Sequence, residues 1–465
     1  SRSTRGRLSV ALVFAALAWF RASAASLPDL WAERVKCVVA VEYVTETEVD
    51  RRPTIAMGTV VDREGTIVLP GSAIDPRTAI SQLKDFKVHL PGEASGEPAE
   101  YLGPDSFTGW HFVRVGPKVR GQLVPVTNFV RAGQAPLGLS DFVWGIGLRG
   151  KEEDFVPYIM QSNVALVQSL PQRTGIAQHE VAAPGLPVFH RDGAFAGLAT
   201  SSFGQSFLQF SRSARGNPIV LVNVEESSVF WLADEAVPNF GRIPRQVSGR
   251  PLAWLGAYGL EPMDREVAKF LNLASASGAV VSEVLETSPA EKAGLRDRDI
   301  VLAIDGQLLP LLKPDRVVVA HLEREVDRRA PGDVMILTVL RGKERMEIKV
   351  TLGEQPKIMR EAARKHFERL GFTARELVFG DAIERRVKAS EAAGVIVNFV
   401  KPGSPAATAG LRIDDWIKEV DGAETGSFAA AVEKLAAVER DQARPESVLL
   451  VARGNETAVL RVKLK

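Results

Sequence analysis

Between residues 30 and 245 the apolar positions come in short runs, at 38–43, 56–61, 66–69, 112–115 and 194–199, separated by Gly, Pro, Asp and Ser. Runs of this length with such punctuation predict strands and a β-rich domain. Periodicity alone fits a two-barrel or a sandwich arrangement equally well.

The second half changes character, because a pattern there repeats at an offset of 116 residues. Ser288-Pro289-Ala290, Ala293-Gly294-Leu295, Asp299, Ile304 and Asp305-Gly306 return as Ser404-Pro405-Ala406, Ala409-Gly410-Leu411, Asp415, Val420 and Asp421-Gly422. In each copy serine is a helix cap, proline takes the first helical position where no N–H is needed, and glycine stops the helix in a left-handed conformation. An apolar strand precedes it (278–284 and 394–400), and the strand after it closes on Asp-Gly, a tight-turn signal. Each copy is therefore a small α+β module. Residues 353–370, between the copies, carry Lys357, Arg360, Arg364, Lys365 and Arg369 among Ile358, Met359, Ala362 and Phe367 at helical spacing. The spacing predicts a solvated connecting helix; a membrane-surface helix is the other reading, disfavoured by Glu368 and a narrow apolar face.

Composition narrows the function classes. Lys and Arg number 58 against 57 Asp and Glu, a formal charge of +1, so no long-range field gathers nucleic acid. A single cysteine, Cys37, excludes intrachain disulfides and thiolate metal cages, and it reads as a small core residue. His89, His179, His190, His321 and His366 show no metal-site spacing, and no phosphate loop appears, so no metal or cofactor is expected. At the N-terminus, Arg2, Arg5 and Arg7 precede an apolar run over 8–20 and then Ala22-Ser23-Ala24, the layout of a cleavable secretory signal. The run is short for a bilayer span, so the expectation is export with cleavage near residue 25 and no stable membrane insertion.

The Ser-Pro-Ala-x-x-Ala-Gly-Leu block, the aspartate four residues on and the closing Asp-Gly resemble the PDZ modules of HtrA (Deg) proteins. The resemblance implies a carboxylate-binding loop at Leu255-Gly256-Ala257 and at Leu370-Gly371-Phe372, where successive backbone N–H groups face a peptide terminus and the peptide adds as a strand. The apolar walls would come from helices at 317–322 and 428–435, which also read as module core.

The region in front resembles the trypsin-like domain of the same proteins. Gly58-Thr59-Val60-Val61 and Gly65-Thr66-Ile67-Val68-Leu69 resemble the strands that lead to the catalytic histidine, and Ser72 stands in its place. Residues 105–115 resemble the aspartate segment, with Gly109 at the aspartate. Residues 181–198 resemble the nucleophile loop, retaining Pro187-Val188, Asp192-Gly193 and Gly197-Leu198 but placing Pro184 at the serine. A serine without a base and a base without an orienting partner are both ineffective, and proline also removes an oxyanion N–H. A rearranged pair of Ser72 with His111 is conceivable in outline, but a structural histidine at a strand start accounts for His111. Ser201 and Ser202 lack a glycine-rich turn.

The expected fold class is therefore mainly β: a trypsin-like double β-barrel followed by two α+β PDZ modules. The expected organisation is a signal peptide (1–25), an inactive trypsin-like domain (26–247), a first PDZ domain (248–353), a linker helix (354–369) and a second PDZ domain (370–465). The expected function is capture of peptides or protein C-termini by an exported pseudoprotease, a chaperone, scaffold or partner of an active protease paralogue. The alternative is an active HtrA-type serine endopeptidase. The resemblance also implies a homo-oligomer, a trimer built through 27–31.

Overall fold

The computed structural model describes residues 26–210, 218–270, 273, 277–388, 392–454 and 456–464. The expected signal segment lies outside them. The described residues form two compact units, one holding 26–42, 55–73 and those within 85–244, the other 43–54, 74–84 and those within 245–464.

The choice between barrels and sandwich is decided by strand pairing. β1 (Val38–Glu46), β2 (Arg51–Val60), β3 (Thr66–Leu69), β4 (Leu83–His89), β5 (Gly96–Pro104) and β6 (His111–Val115) close a barrel in the order β1-β2-β3-β6-β5-β4. β7 (Phe142–Leu148), β8 (Pro157–Gln168), β9 (Thr174–Ala177), β10 (Pro187–His190), β11 (Phe195–Phe210) and β12 (Pro218–Leu232) close a second, in the order β10-β11-β12-β9-β8-β7. Closure removes free edges, which lets short strands of modest individual stability persist. Val38, Val68, Phe112, Trp144, Phe189 and Phe230 belong to one buried cluster. The helix Leu27–Arg34 begins after Ser26, whose N–H and hydroxyl donate to Asp29 Oδ2 at 3.1 and 2.6 Å, and it buries Leu30.

The strand predictions at 38–43, 56–61, 66–69, 112–115 and 194–199 fall within or overlap β1, β2, β3, β6 and β11. β4, β5, β7–β10 and β12 were not among the expected strands; β8 has the burial pattern of a strand exposed over much of its length.

The first module consists of β13 (Ala253–Trp254), β14 (Ala257–Tyr258), β15 (Glu261–Pro262), β16 (Ala279–Val280), β17 (Glu283–Val284), β18 (Ile300–Ile304), β19 (Gln307–Leu308), β20 (Val334–Arg341), β21 (Glu344–Thr351) and β22 (Gly353–Glu354), with helices Pro289–Ala293 and Val317–Asp327. The second consists of β23 (Arg364–Phe367), β24 (Phe372–Glu376), β25 (Val395–Val400), β26 (Trp416–Val420), β27 (Ala423–Glu424), β28 (Glu446–Arg453) and β29 (Glu456–Lys463), with helices Pro405–Thr408 and Phe428–Arg440. Each module has its own buried core.

The repeat's local signals act as the sequence implies. Ser288 Oγ accepts from the Glu291 N–H at 3.1 Å and Ser404 Oγ from the Ala407 N–H at 3.2 Å. Asp305-Gly306 and Asp421-Gly422 form the β18–β19 and β26–β27 turns with positive φ at both residues.

The predicted linker helix is corrected. Residues 354–369 contain the end of β22, a single 3₁₀ turn at Met359–Glu361 and strand β23. The reason is a partner: β23 pairs antiparallel with β24 and buries Phe367, and that tertiary pairing outweighs a weak helical spacing.

Candidate functional site

The segments carrying Ser72, Gly109 and Pro184, the three positions singled out in the sequence, lie close together in the double barrel. A β-carbon at Gly71, next to Ser72, would stand 2.9 Å from the Gly109 carbonyl oxygen. One at Gly185, next to Pro184, would meet Pro70 Cδ at 2.6 Å. Ser72 lies exposed on the turn Gly71–Ala73 after β3. Gly109 sits at φ +72°, its N–H donating to the Asp105 carbonyl at 2.8 Å, in a loop shaped for a residue without a side chain. Asp105 accepts from the Thr108 N–H and hydroxyl at 2.9 and 2.8 Å and from Arg242 Nε at 3.0 Å, so its carboxylate serves the loop. His111 is buried and shares a 2.8 Å hydrogen bond with the Tyr101 hydroxyl.

Around Pro184 four backbone donors have partners. The Val181 and Ala182 N–H groups donate to Ser228 Oγ at 3.0 and 3.2 Å, Gly185 to the Ala199 carbonyl at 2.8 Å and Leu186 to Ala183 at 3.0 Å. Thr59 Oγ1 donates to the Gly185 carbonyl at 2.6 Å, pinning the loop from β2. An oxyanion hole centred on position 184 would need that residue's N–H and a convergent second donor; Pro184 has no N–H, and the Ala182 N–H is bound to Ser228.

In the modules, the loops around Gly256 and Gly371 match. Both glycines have positive φ, +81° and +75°, and a β-carbon on either would overlap the β-carbon of its module's capping serine, Ser288 or Ser404. The glycine is thus required by close packing on the helix start, whatever the loop binds. The loops differ in their donors. In the second module the Gly371 N–H donates to the Phe367 carbonyl at 2.7 Å and the Leu370 N–H to Glu439 Oε1 at 2.9 Å. In the first, among the described residues, the Leu255 and Gly256 N–H groups donate to no other protein group. Leu255, Leu370 and Phe372 are buried, while Ala257 is half-buried at the start of β14. The helices Val317–Asp327 and Phe428–Arg440 bury Val318 and Leu322, and Ala431 and Leu435, so both contribute to module core.

Comparison with known proteins gives this geometry a family. The PDZ domain family matches residues 280–320 and 396–448. A relative from Brucella suis biovar 1 named "Probable periplasmic serine endoprotease DegP-like" is 26% identical over 413 residues, covering 86% of this chain and 71% of the relative. A Chlamydia pneumoniae protein of the same name is 28% identical over 204 residues, covering 44% of this chain and 39% of the relative, so the chain spans well under half the length of that match. Among solved structures, "HtrA-type protease AlgW with decapeptide" aligns at 15% identity with a TM-score of 0.50, over 72% of this chain and 100% of that one. Two closed barrels followed by two PDZ modules decide the matter. The chain has the HtrA-type architecture.

Several residues that shape the HtrA-type fold here escaped the sequence reading. The repeated aspartates are buried partners of arginines that no motif singled out: Arg341 Nε and Nη2 donate to Asp299 at 2.8 and 2.7 Å, and Arg453 to Asp415 at 2.7 and 2.6 Å. The same guanidinium groups donate to the carbonyls of Gly294 and Gly410, closing the short helices. Hydrogen bonding to the aspartates raises both arginine pKa values. A recurrence of Arg at a 112-residue offset was the signal available. Ser228 and Glu439, by contrast, lie far in sequence from the loops they bind and carry no local signature.

Proposed function

We propose that this HtrA-type chain is exported, does not cleave peptide bonds, and holds C-termini or extended segments of other proteins through its PDZ architecture. It would serve as a chaperone, scaffold or protease partner in envelope protein quality control. The observation that carries this reading is the convergence of Ser72, Gly109 and Pro184 at one place, where hydrolysis requires an imidazole, a carboxylate and a hydroxyl beside two free N–H donors. Export is supported by the signal-like N-terminus and by relatives named periplasmic. Peptide capture is supported by the unbonded loop donors at Leu255 and Gly256 and by the decapeptide named with the similar HtrA-type structure.

The relatives' names favour a second reading, an active serine endopeptidase. A casein turnover assay on the purified chain separates the two. No hydrolysis above the uncatalysed background is expected; robust turnover abolished by a serine-directed inhibitor would overturn the proposal.

A further inference from the structure

The two modules differ at the edge where a captured peptide would add. In the first, β14 and β15 pair with β17 and β16 on one side, and among the described residues no strand pairs with the other side. The chain that leads into this module goes elsewhere: β13 pairs with β22, Ala253 opposite Glu354 and Trp254 opposite Gly353. In the second module both edges of β24 are taken. β25 lies on one side, and β23 lies on the other with Arg364 opposite Arg375, Lys365 opposite Ala374, His366 opposite Thr373 and Phe367 opposite Phe372.

β23 reproduces what a bound C-terminal peptide requires. It runs antiparallel to β24 and ends at the Leu370-Gly371 loop. Its final side chain, Phe367, is 1% exposed, 5.5 Å from the Phe372 ring, and shares a core with Ala431, Leu435 and Val438 of the helix Phe428–Arg440. Its final carbonyl takes the Gly371 N–H, the donor that a terminal carboxylate would use, and Glu439 takes the Leu370 N–H. Arg369 anchors the turn by donating to the carbonyls of Val438, Asp441 and Arg444 at 3.3, 2.7 and 3.1 Å.

Resting on the capture function proposed above, we infer that the second PDZ groove holds the chain's own Arg364–Phe367 strand as an intramolecular ligand, and that the first module alone offers a free edge to a partner's C-terminus. The consequence is quantitative. A segment tethered by a four-residue turn has an effective concentration of about 1 mM or more, so against an intrinsic affinity of about 10 µM it weakens a competing peptide about a hundredfold. Partner choice then rests with the first module.

The test uses the full chain, first without any peptide. Hydrogen exchange read by mass spectrometry is expected to show 364–367 protected to the same degree as 372–376; exchange of 364–367 at the rate of unstructured chain would overturn the inference. The second arm adds the heptapeptide Glu-Ala-Ala-Arg-Lys-His-Phe, the chain's own 361–367 sequence with a free carboxylate. At 100 µM it is expected to leave exchange of 372–376 unchanged in the wild type. In the double variant Lys365→Pro with Phe367→Ala it is expected to protect 372–376, with affinity at that site raised about a hundredfold. Added protection of 372–376 in the wild type at micromolar peptide would overturn the inference. So would a variant that folds but gains no site, since β23 would then be a structural strand only. Lack of binding at 257–262 by every peptide tried counts instead against the capture function and leaves both exchange comparisons able to decide the state of β23.

Discussion

Restoring the three catalytic residue types, Ser72→His with Gly109→Asp and Pro184→Ser, is expected to leave the barrels inactive, and the structure gives the reason in donors. Serine at 184 returns a hydroxyl and one N–H, but the second oxyanion donor, the Ala182 N–H, remains bound to Ser228 Oγ at 3.2 Å. Ser228 is held there by its own donation to the Ala182 carbonyl at 2.8 Å. One missing donor costs about a hundredfold to a thousandfold in turnover. Gly109 at φ +72° adds to this, because a side chain in the left-handed region costs about 1–2 kcal/mol, so the new aspartate would tend to move its loop away from the orientation its histidine needs. Leu186 is fully buried in the turn after the nucleophile position and opposes any re-formation of the loop. The triple variant should therefore cleave a chromogenic peptide at least a hundredfold more slowly than an active HtrA-type protease assayed beside it. Adding Ser228→Ala should recover about tenfold or more by releasing the Ala182 N–H. Triple-variant turnover within tenfold of the active protease would refute the reasoning, and a Ser228→Ala variant without effect would show that the donors are not limiting.

Other outcomes follow from named contacts. Amidating the C-terminus of a bound peptide should weaken binding by about 1–3 kcal/mol, because backbone donors lose a charged acceptor; equal affinities by calorimetry would show that Leu255-Gly256 is no carboxylate site. Arg453→Leu leaves the 1%-exposed Asp415 carboxylate without its bidentate partner and should cost about 2–3 kcal/mol in urea unfolding, less than a fully buried pair because Arg453 is partly solvated. Phe367→Ala should cost about 3–5 kcal/mol by the same measurement, and a loss under 1 kcal/mol would mean that β23 is not packed. Burial alone would raise the Asp381 carboxyl, but hydrogen bonds from Arg375 and the Val378 N–H outweigh it and hold the pKa below its ordinary value. Its contribution to stability is therefore complete above about pH 4 and lost as pH falls through the depressed folded value; Asp381→Asn should lower stability at neutral pH and flatten the acid-side slope in a pH series of unfolding midpoints.

What the sequence determined by itself was local and repeated. The serine caps, the left-handed glycines and the Asp-Gly turns each act through contacts within a few residues, so their spacing carried the two modules and their 116-residue register. The candidate positions Ser72, Gly109 and Pro184 were legible because neighbouring motifs bracket them, and the chain brings them together. Tertiary structure alone decided three things. Strand pairing closed the front region into barrels, since local apolar runs do not specify which strands meet. It turned the expected linker helix into β23, because an edge strand with a free partner side outcompetes a marginal isolated helix. It also set the state of the two matching loops. Leu255-Gly256 and Leu370-Gly371 read alike, but whether their N–H groups are free depends on Phe367 and on Glu439, which is 69 residues from Leu370. A hydrogen-bond donor is recognisable from sequence, whereas its partner is fixed only when distant segments pack.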